Sequence, residues 1–310
     1  MIVEPGVGLA EVGGLHPARA IRHAAIAAIL RVGLKPTRIG RIAVLTAGAA
    51  DRFRIRAGCM IPSMRRLAHA RELLDGDLAE PFVLDGNLRD LRRINRQFGG
   101  ARLSVRAVRM LVTAGGAAEH RDSLRVLDVG AGACDIPLAL AAAHGPWRSV
   151  NVTAVDSRPE VLDAARRIEP GLATRPDVEL LVADGRSLPF PDDAFDVAHT
   201  SMVLHHLDPI EAHRFLIELA RVARIGVVVN DLERGAVHWL GAWLVLHALT
   251  RNPFTLHDGP LSVRRAYTRS EMRNLLAAAG LQPIAEAGGF AGHRWAIATV
   301  PAAADALRHR

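Results

Sequence analysis

The strongest constraint on the fold comes from one stretch of the sequence, Val126-Leu-Asp-Val-Gly-Ala-Gly-Ala-Cys-Asp135. An apolar run ends there in Asp128, and two alternating glycines and an apparent helix start follow. A parallel strand that presents a cofactor to a helix N-terminus has this pattern, because glycines let the backbone approach the ligand closely. The stretch therefore predicts a nucleotide-like cofactor at the end of a first strand, although a simple tight turn would also use these glycines.

The residue at position 135, three positions after the second glycine of the loop, separates two classes of cofactor. A dinucleotide needs Gly-x-Gly-x-x-Gly, and Asp135 occupies the third glycine position. A carboxylate there would repel a pyrophosphate at the helix end that should attract it. S-adenosylmethionine (SAM) has no phosphate and carries an ammonium group and a sulfonium, and Asp128 lies where it could meet a positive group. The loop therefore favours SAM.

Acidic residues follow the next two predicted strands. Buried strands are expected over 151–155, 178–182 and 195–201, and Asp156 and Asp184 come directly after the first two. In an open parallel sheet the carboxyl ends of the strands form the ligand crevice. Asp156 is predicted to accept hydrogen bonds from ribose hydroxyls and Asp184 from the adenine amino group, whereas either acid alone would be typical of a turn or N-cap.

From about Arg121 to Val300, the chain resembles a class I SAM-dependent methyltransferase, with the glycine loop, Asp156 and Asp184 in the family's order. Residues 188–196 (LPFPDDAFD) and 202–207 (MVLHHL) resemble the quinone-biosynthesis branch of that family. Many members have glycine where this chain has Cys134, and a small side chain is expected to fit there.

The resemblance implies an α/β fold, Rossmann-like and doubly wound, with a mostly parallel seven-stranded sheet, an antiparallel last strand and an N-terminal helical cap. It implies S-adenosyl-L-methionine as the cofactor. The residues predicted to bind it are Asp128, Gly130, Ala131, Gly132, Asp156, Ser157, Ala183, Asp184, Gly185 and Thr200.

Charge divides the chain into a basic N-terminal part and a balanced remainder. Residues 1–66 hold eleven basic and three acidic residues, a net charge of +8, and the rest of the chain sums to −1. A polyanion-binding enzyme more often carries a basic face beside its active site, so the balance argues against a nucleic-acid substrate. We expect a weakly ordered extension over 1–66, a helical cap over 67–120 and the SAM domain over 121–310. A basic helix over 18–32 that touches a membrane surface, and translation from Met60 or Met64, are alternatives.

Hydropathy, cysteine content and histidine spacing limit the classes of protein to which this chain can belong. No uncharged apolar run reaches about 18 residues, which argues against a transmembrane helix, and no secretory signal is evident. The two cysteines, Cys59 and Cys134, do not make a disulfide framework, so a cytoplasmic monomer or homodimer is expected. The 14 histidines show no zinc-like spacing, and the sequence therefore predicts no metal.

Local patterns predict the remaining elements. Helices are expected in 66–118, with a break at Gly99-Gly100, and over 209–224 and 235–250, and another helix capped by Thr268 or Ser270. Strands are expected over 225–229, 281–287 and 295–300, the last two as an antiparallel pair. Residues 257–268 are predicted to form a polar loop, within a helical insertion over about 235–268.

Methyl transfer needs an aligned nucleophile and, for a phenol with a pKa of about 10, removal of a proton. His205 is the first choice for this base and His206 the second, because histidine titrates near neutral pH and both follow the fourth strand. Helix-capping or packing roles are the alternative. The predicted acceptor contacts are Asn230, Trp239, Trp243, His257, Arg264 and Tyr267.

We expect a hydrophobic aromatic acceptor, because the two tryptophans lie in an apolar segment predicted to cover the acceptor cleft. Methylation of oxygen on a phenolic, polyketide-derived or quinone-like molecule is favoured over methylation of carbon on a quinone precursor. The rival interpretations are a nucleic-acid methyltransferase, a SAM-binding protein without methyl transfer and a dinucleotide-dependent oxidoreductase.

Overall fold

The computed structural model describes residues 64–78, 80–114 and 121–302. Almost all of the predicted basic extension lies outside the described residues. The same holds for the predicted helix over 18–32, the alternative start at Met60, and Cys59.

Seven strands and eight α-helices make up the described part of the chain. The strands are β1 (Arg121–Val129), β2 (Trp147–Asp156), β3 (Val178–Val182), β4 (Phe195–Ser201), β5 (Ala223–Leu232), β6 (Leu281–Gly288) and β7 (Arg294–Pro301). The helices are α1 (Pro81–Phe98), α2 (Gly100–Ala114), α3 (Asp135–Ala141), α4 (Pro159–Ile168), α5 (Pro209–Val222), α6 (Ala236–Leu249), α7 (Pro253–Arg265) and α8 (Arg269–Ala278).

The strands form one sheet in the order β3-β2-β1-β4-β5-β7-β6. All neighbours from β3 to β5 pair in parallel, whereas β7 runs antiparallel to both β5 and β6. Six strands therefore share one direction and the last strand opposes them. The predicted fold class is confirmed, and so is the predicted antiparallel pair at the end of the chain.

Apolar side chains cover both faces of this sheet. On one face α5 and α8 bury residues such as Leu216 and Met272 against β4 and β5. On the other face α2 buries Leu111 against β1 and β4, through Val126 and Val197. Because both faces are covered, the central strands can be buried along their whole length, as β4 is.

The helical cap breaks where the sequence predicts. Gly99 ends α1 with a φ of +79°, a left-handed conformation that glycine adopts at low cost, and α2 starts at the next residue. Leu84 and Leu88 on α1 pack against Val161 on α4. The cap is thus packed onto the helix that follows β2.

Local capping explains two helix starts that were predicted correctly. Asp208 accepts hydrogen bonds from the amides of Ile210 and Glu211 and precedes Pro209, the first residue of α5. Thr268 caps α8 and forms a capping box with Glu271. Of the two predicted caps for α8, Thr268 is therefore the correct one.

The predicted polar loop over 257–268 was wrong, because most of it lies in α7. Asn252 caps this helix by accepting from the amides at 254 and 255, and Pro253 begins it. Gly259 allows close packing, since a Cβ there would lie 2.1 Å from Leu246 Cδ1 of α6. Pro260 lies inside the helix, buried against its neighbours. Tertiary contacts with α6 thus stabilise a helix that the local Gly-Pro pair disfavours.

Among residues 64–78, 80–114 and 121–302, no helix is both long and apolar enough to cross a bilayer.

Candidate functional site

The glycine loop turns sharply between β1 and α3. Gly130 and Gly132 have φ values of +82° and +52°, and Cys134, also left-handed, precedes the helix. The amides of Gly130 and Ala131 both donate to the carbonyl oxygen of Val155, at 2.8 and 2.9 Å. The loop is therefore bound to the end of β2, directly beside Asp156.

The free space beside the backbone is small at Gly130 and large at Gly132, and a ligand could use the space at Gly132. A Cβ on Gly130 would lie 2.1 Å from Val203 Cγ2, so this position is closed on the side of the chain after β4. A Cβ on Gly132 would meet only the carbonyl oxygen of Gly130, at 4.0 Å. The loop thus offers an open backbone surface at Gly132, as a closely bound cofactor requires.

Asp156 lies at the end of β2 and organises this loop. Its Oδ2 accepts from the amide of Gly132 and its Oδ1 from the amide of Arg158, both at 3.0 Å. Burial raises the pKa of Asp156, and these two amides oppose the increase. Each oxygen keeps a lone pair, so the carboxylate can still accept from a ribose hydroxyl, and the donor set fits SAM.

The other predicted cofactor residues have varied environments. Asp184 is exposed and paired with Arg186, which lowers the pKa of this carboxyl. Thr200 is buried and donates to the carbonyl oxygen of Val129 at 2.9 Å. Gly185 is buried between α5 and β1. Ser157 is exposed. The amide of Ala183 donates to the carbonyl oxygen of Asp156 at 3.1 Å.

A buried polar network lies beneath the ends of the central strands, formed by Asp128, His199, Ser104, Asn230 and Arg294. Asp128 contacts His199 Nδ1, and His199 Nε2 lies 2.8 Å from Ser104 Oγ. Asn230 Nδ2 donates to Ser104 Oγ at 2.7 Å, and Arg294 Nε donates to Asn230 Oδ1 at 2.6 Å. Asp128 and Asn230, predicted as ligand contacts, are therefore both partners in this network.

Arg294 carries a buried charge at the end of the network. Its two remaining nitrogens donate to Asn95 Oδ1 at 2.7 Å and to Ser201 Oγ at 2.6 Å. Burial lowers the pKa of Arg294 to about 10, while Asp231 and Asp135 favour its charged form. The guanidinium thereby links the cap helix α1 to the ends of β4 and β7.

The two histidines predicted as bases lie in a short 3₁₀ turn, Leu204–His206, after β4. His205 is buried, with Nδ1 at 2.8 Å from Asp231 Oδ1. The side chain of His206 is 22% exposed, and its Nδ1 lies 2.7 Å from Asp75 Oδ1. Nδ1 of each imidazole therefore lies near a carboxylate, and that of His205 is hydrogen-bonded to it.

Glu72, which was not predicted, lies against both histidines. Its Oε1 is 3.7 Å from His205 Nε2 and its Oε2 is 3.7 Å from His206 Nε2. Burial raises the pKa of Glu72 to about 7. Glu72 is separated from His205 by more than a hundred residues, and no local pattern marks it, so only the folded chain reveals this contact.

The predicted acceptor residues on α6 and α7 have different surroundings. Trp239 packs near Leu232 and Val263, whereas Trp243 is 41% exposed and stacks on a neighbouring histidine. The side chain of His257 is half exposed and contacts Asp258, and Arg264 is only partly buried.

Tyr267 occupies a separate place at the end of α7. Its hydroxyl donates to the carbonyl oxygen of Leu207 at 2.9 Å, and the guanidinium carbon of Arg66 lies 3.9 Å from its ring centroid. Burial raises the pKa of Tyr267 to about 12, so it stays a neutral donor at neutral pH. This tyrosine fixes the chain just after the histidine pair.

Comparison with known proteins gives a consistent result. Residues 126–226 match a family model described as a methyltransferase domain. An uncharacterized 37.1 kDa protein of a Streptomyces fradiae transposon is 31% identical over 252 residues, which is 78% of this chain and 64% of that protein. A ubiquinone/menaquinone biosynthesis C-methyltransferase of Burkholderia vietnamiensis is 33% identical over 116 residues, 37% of this chain and 45% of the relative.

Among solved structures, a SAM-dependent methyltransferase from Aquifex aeolicus aligns with a TM-score of 0.49 and 20% identity, over 69% of this chain and 97% of its own. The chain spans about half to two thirds of the length of the curated relatives it matches. The matched segment contains the glycine loop and the strands beside it. From the family model and these relatives, residues 126–226 form a methyltransferase domain of the class I SAM-dependent type, and the cofactor of that type is SAM.

Proposed function

We propose that this protein transfers the methyl group of SAM to a hydroxyl oxygen of a hydrophobic small molecule, of phenolic, polyketide-derived or quinone-like type. The observation that supports an apolar acceptor is helix α6, which follows β5. Its side chains Val237, Leu240, Trp243 and Leu244 are 40–65% exposed. A contiguous apolar surface of this kind is typical of a ligand or interaction site.

The position of α6 agrees with this role. Strands β4 and β5 lie next to β1, and ligands of such sheets bind beyond the carboxyl ends of the strands. The chain that leaves the carboxyl end of β5 continues through α6 and α7 to α8 and contains Trp239 and Tyr267. An acceptor that reaches the cofactor from this side would meet mainly apolar and aromatic groups.

SAM supplies an electrophilic methyl group, so the protein has to orient the acceptor and exclude water. Removal of the acceptor proton by His205 or His206 stays a prediction. His205 is buried, and both imidazoles already contact carboxylates through Nδ1. Methyl transfer to a phenol therefore rests here on positioning, with no base assigned.

Methylation of carbon is the second candidate. It is supported by the printed activity of the Burkholderia relatives, which are C-methyltransferases of quinone biosynthesis, over the part of the chain that aligns. A SAM-binding protein without methyl transfer is a third candidate. The charge balance of residues 67–310 disfavours a nucleic-acid substrate.

We also propose that the protein acts in the cytoplasm, as a monomer or homodimer, in secondary metabolism. The low cysteine content supports a reducing compartment. Size-exclusion chromatography with light scattering would measure the oligomeric state.

The test is incubation of the purified protein with methyl-labelled SAM and a panel of phenols, hydroxylated polyketides and quinols. We expect a labelled product, with nuclear magnetic resonance showing the methyl group on oxygen. Label on carbon would favour the second candidate. SAH binding without any methylated product across the panel would support the third candidate, and label in nucleic acid added as a further acceptor would contradict the proposal.

A further inference from the structure

Three side chains with metal-binding atoms converge where the chain before α1 crosses the turn after β4. We call Glu72, His205 and His206 the Glu72 cluster. One donor atom from each lies within 4.8 Å of the others. Glu72 and His205 are buried, and His206 is mostly so. Both histidines direct the same atom, Nε2, at the same carboxylate.

Carboxylates behind the imidazoles determine what Nε2 offers. Asp231 lies 2.8 Å from Nδ1 of His205, and Asp75 lies 2.7 Å from Nδ1 of His206. A carboxylate hydrogen-bonded to Nδ1, as Asp231 is to that of His205, favours the tautomer whose lone pair is on Nε2. The Nε2 atoms of both histidines lie 3.7 Å from oxygens of the Glu72 carboxylate, beyond hydrogen-bond length.

One oxygen of the Glu72 carboxylate lacks a donor. Among the described residues, its buried Oε1 has no hydrogen-bond partner. Arg265 is the nearest guanidinium, 3.6 Å away, but its nitrogens donate to Asp75 and to the carbonyl oxygens of His205 and His206. Arg265 therefore holds the cluster's backbone in place and leaves Oε1 of Glu72 without a hydrogen bond.

Carboxylates outnumber guanidinium groups around the cluster. The carboxylates are those of Glu72, Asp75, Asp231 and Asp258, and the guanidinium groups are those of Arg265, Arg66 and Arg294. Buried charges need compensation by opposite charge or by a metal. A divalent cation between Glu72 and the two Nε2 atoms would supply it.

We propose that Glu72, His205 and His206 bind one divalent transition-metal ion, with Zn²⁺ as the best match. Two imidazole nitrogens and one carboxylate oxygen are a ligand set that zinc uses, at bond lengths of about 2.0–2.2 Å. Two such bonds span 3.7 Å when the angle at the metal is about 120°. Asp231 and Asp75 are the outer carboxylates that commonly orient metal-binding histidines.

The ion would join two parts of the chain. Glu72 belongs to the segment before α1, and the histidines belong to the turn after β4. Asp258 on α7 already holds this segment by accepting from the amides of Leu73 and Leu74, at 2.7 and 3.0 Å. A metal held by both Nε2 atoms would leave neither imidazole free as a base, so the two roles are alternatives.

The experiment uses full-length, tag-free protein without SAM or acceptor, so it is independent of methyl transfer. After dialysis against EDTA, ZnCl₂ is titrated by calorimetry, and metal content is measured by mass spectrometry. We expect one zinc per chain. Glu72→Gln, which keeps the side-chain shape, is expected to weaken zinc binding by at least about 100-fold. Glu160→Gln, an exposed position on α4, is the matched control and is expected to leave binding unchanged.

X-ray absorption of the zinc-loaded protein identifies the ligands and does not depend on whether Glu72→Gln folds. The proposal predicts two imidazoles and one carboxylate, and slower hydrogen exchange in residues 64–78 when zinc is bound. No stoichiometric zinc binding by the EDTA-treated protein would overturn the proposal. Equal affinity in a folded Glu72→Gln variant, or a ligand set without two imidazoles, would overturn it as well.

Discussion

Replacement of Asp156 by alanine should weaken binding of S-adenosylhomocysteine (SAH), the product form of the cofactor, by at least about 100-fold. A hydrogen bond to a charged group contributes about 1.5–3 kcal/mol, and two ribose hydroxyls can donate to this carboxylate. Since about 1.4 kcal/mol is tenfold in affinity, two lost bonds amount to at least about two orders of magnitude. Alanine also removes the acceptor for the amide of Gly132, so the loop itself loosens.

Asp156→Asn separates charge from shape. The amide keeps one oxygen that accepts a hydrogen bond, so we expect a smaller loss, about tenfold. Calorimetric titration with SAH measures all variants. Asp163→Asn, an exposed aspartate on α4, is the control and should bind as the wild-type protein does. A folded Asp156→Ala variant with unchanged affinity would refute the ribose role of Asp156.

The same residue predicts a pH dependence. Burial raises the pKa of Asp156, while donation from ribose hydroxyls favours its charged form. SAH affinity should therefore be full above this raised pKa and fall as pH decreases through it, and Asp156→Asn should remove that dependence. The free energy of unfolding has the opposite pH dependence. It increases as pH falls through the raised pKa, because the folded state then binds the proton more tightly than the unfolded state.

Three further predictions concern the loop, the buried polar network and the thiol. Gly130→Ala places a Cβ in a left-handed conformation that costs about 1–2 kcal/mol and within 2.1 Å of Val203 Cγ2, so it should weaken SAH binding by at least about tenfold in calorimetry; unchanged affinity would mean that the loop shape is not needed. Ser104→Ala should lower the free energy of unfolding in urea by about 2 kcal/mol, because it deprives a buried imidazole of its partner, whereas exposed Ser149→Ala should change it by less than about 0.5 kcal/mol. Burial raises the pKa of Cys134 from 9.0 to about 12, so in a Cys59→Ser background the native thiol should react with iodoacetamide about a thousandfold more slowly than in urea; equal rates would contradict its burial.

The sequence predicted those parts of the fold whose causes are local. The caps at Asp208 and Thr268 lie next to the helices they start, and the strand ends at Val129 and Asp156 are marked by adjacent glycines or acids. Helix α7 was missed because its stability comes from elsewhere. Its Gly259 is needed for packing against α6, which no local pattern reveals.

The candidate site also contains residues that the local sequence predicts and residues that it does not. Asp156 and the glycine loop are adjacent to strand ends, and the structure brings them together through direct hydrogen bonds. Glu72 and Arg294 were missed because their partners are distant in sequence, at His205 and at Asn230. The sequence argument against a metal considered only the spacing of histidines, whereas the proposed zinc site draws its carboxylate from another part of the chain.

The central claim is that the glycine loop and Asp156 form a SAM site. Its most direct test is calorimetric titration of the wild-type protein with SAH and, separately, with NAD⁺. We expect one SAH bound per chain and no heat of binding with NAD⁺, because Asp135 begins α3 where a pyrophosphate would lie. Binding of NAD⁺ but not of SAH would contradict the account.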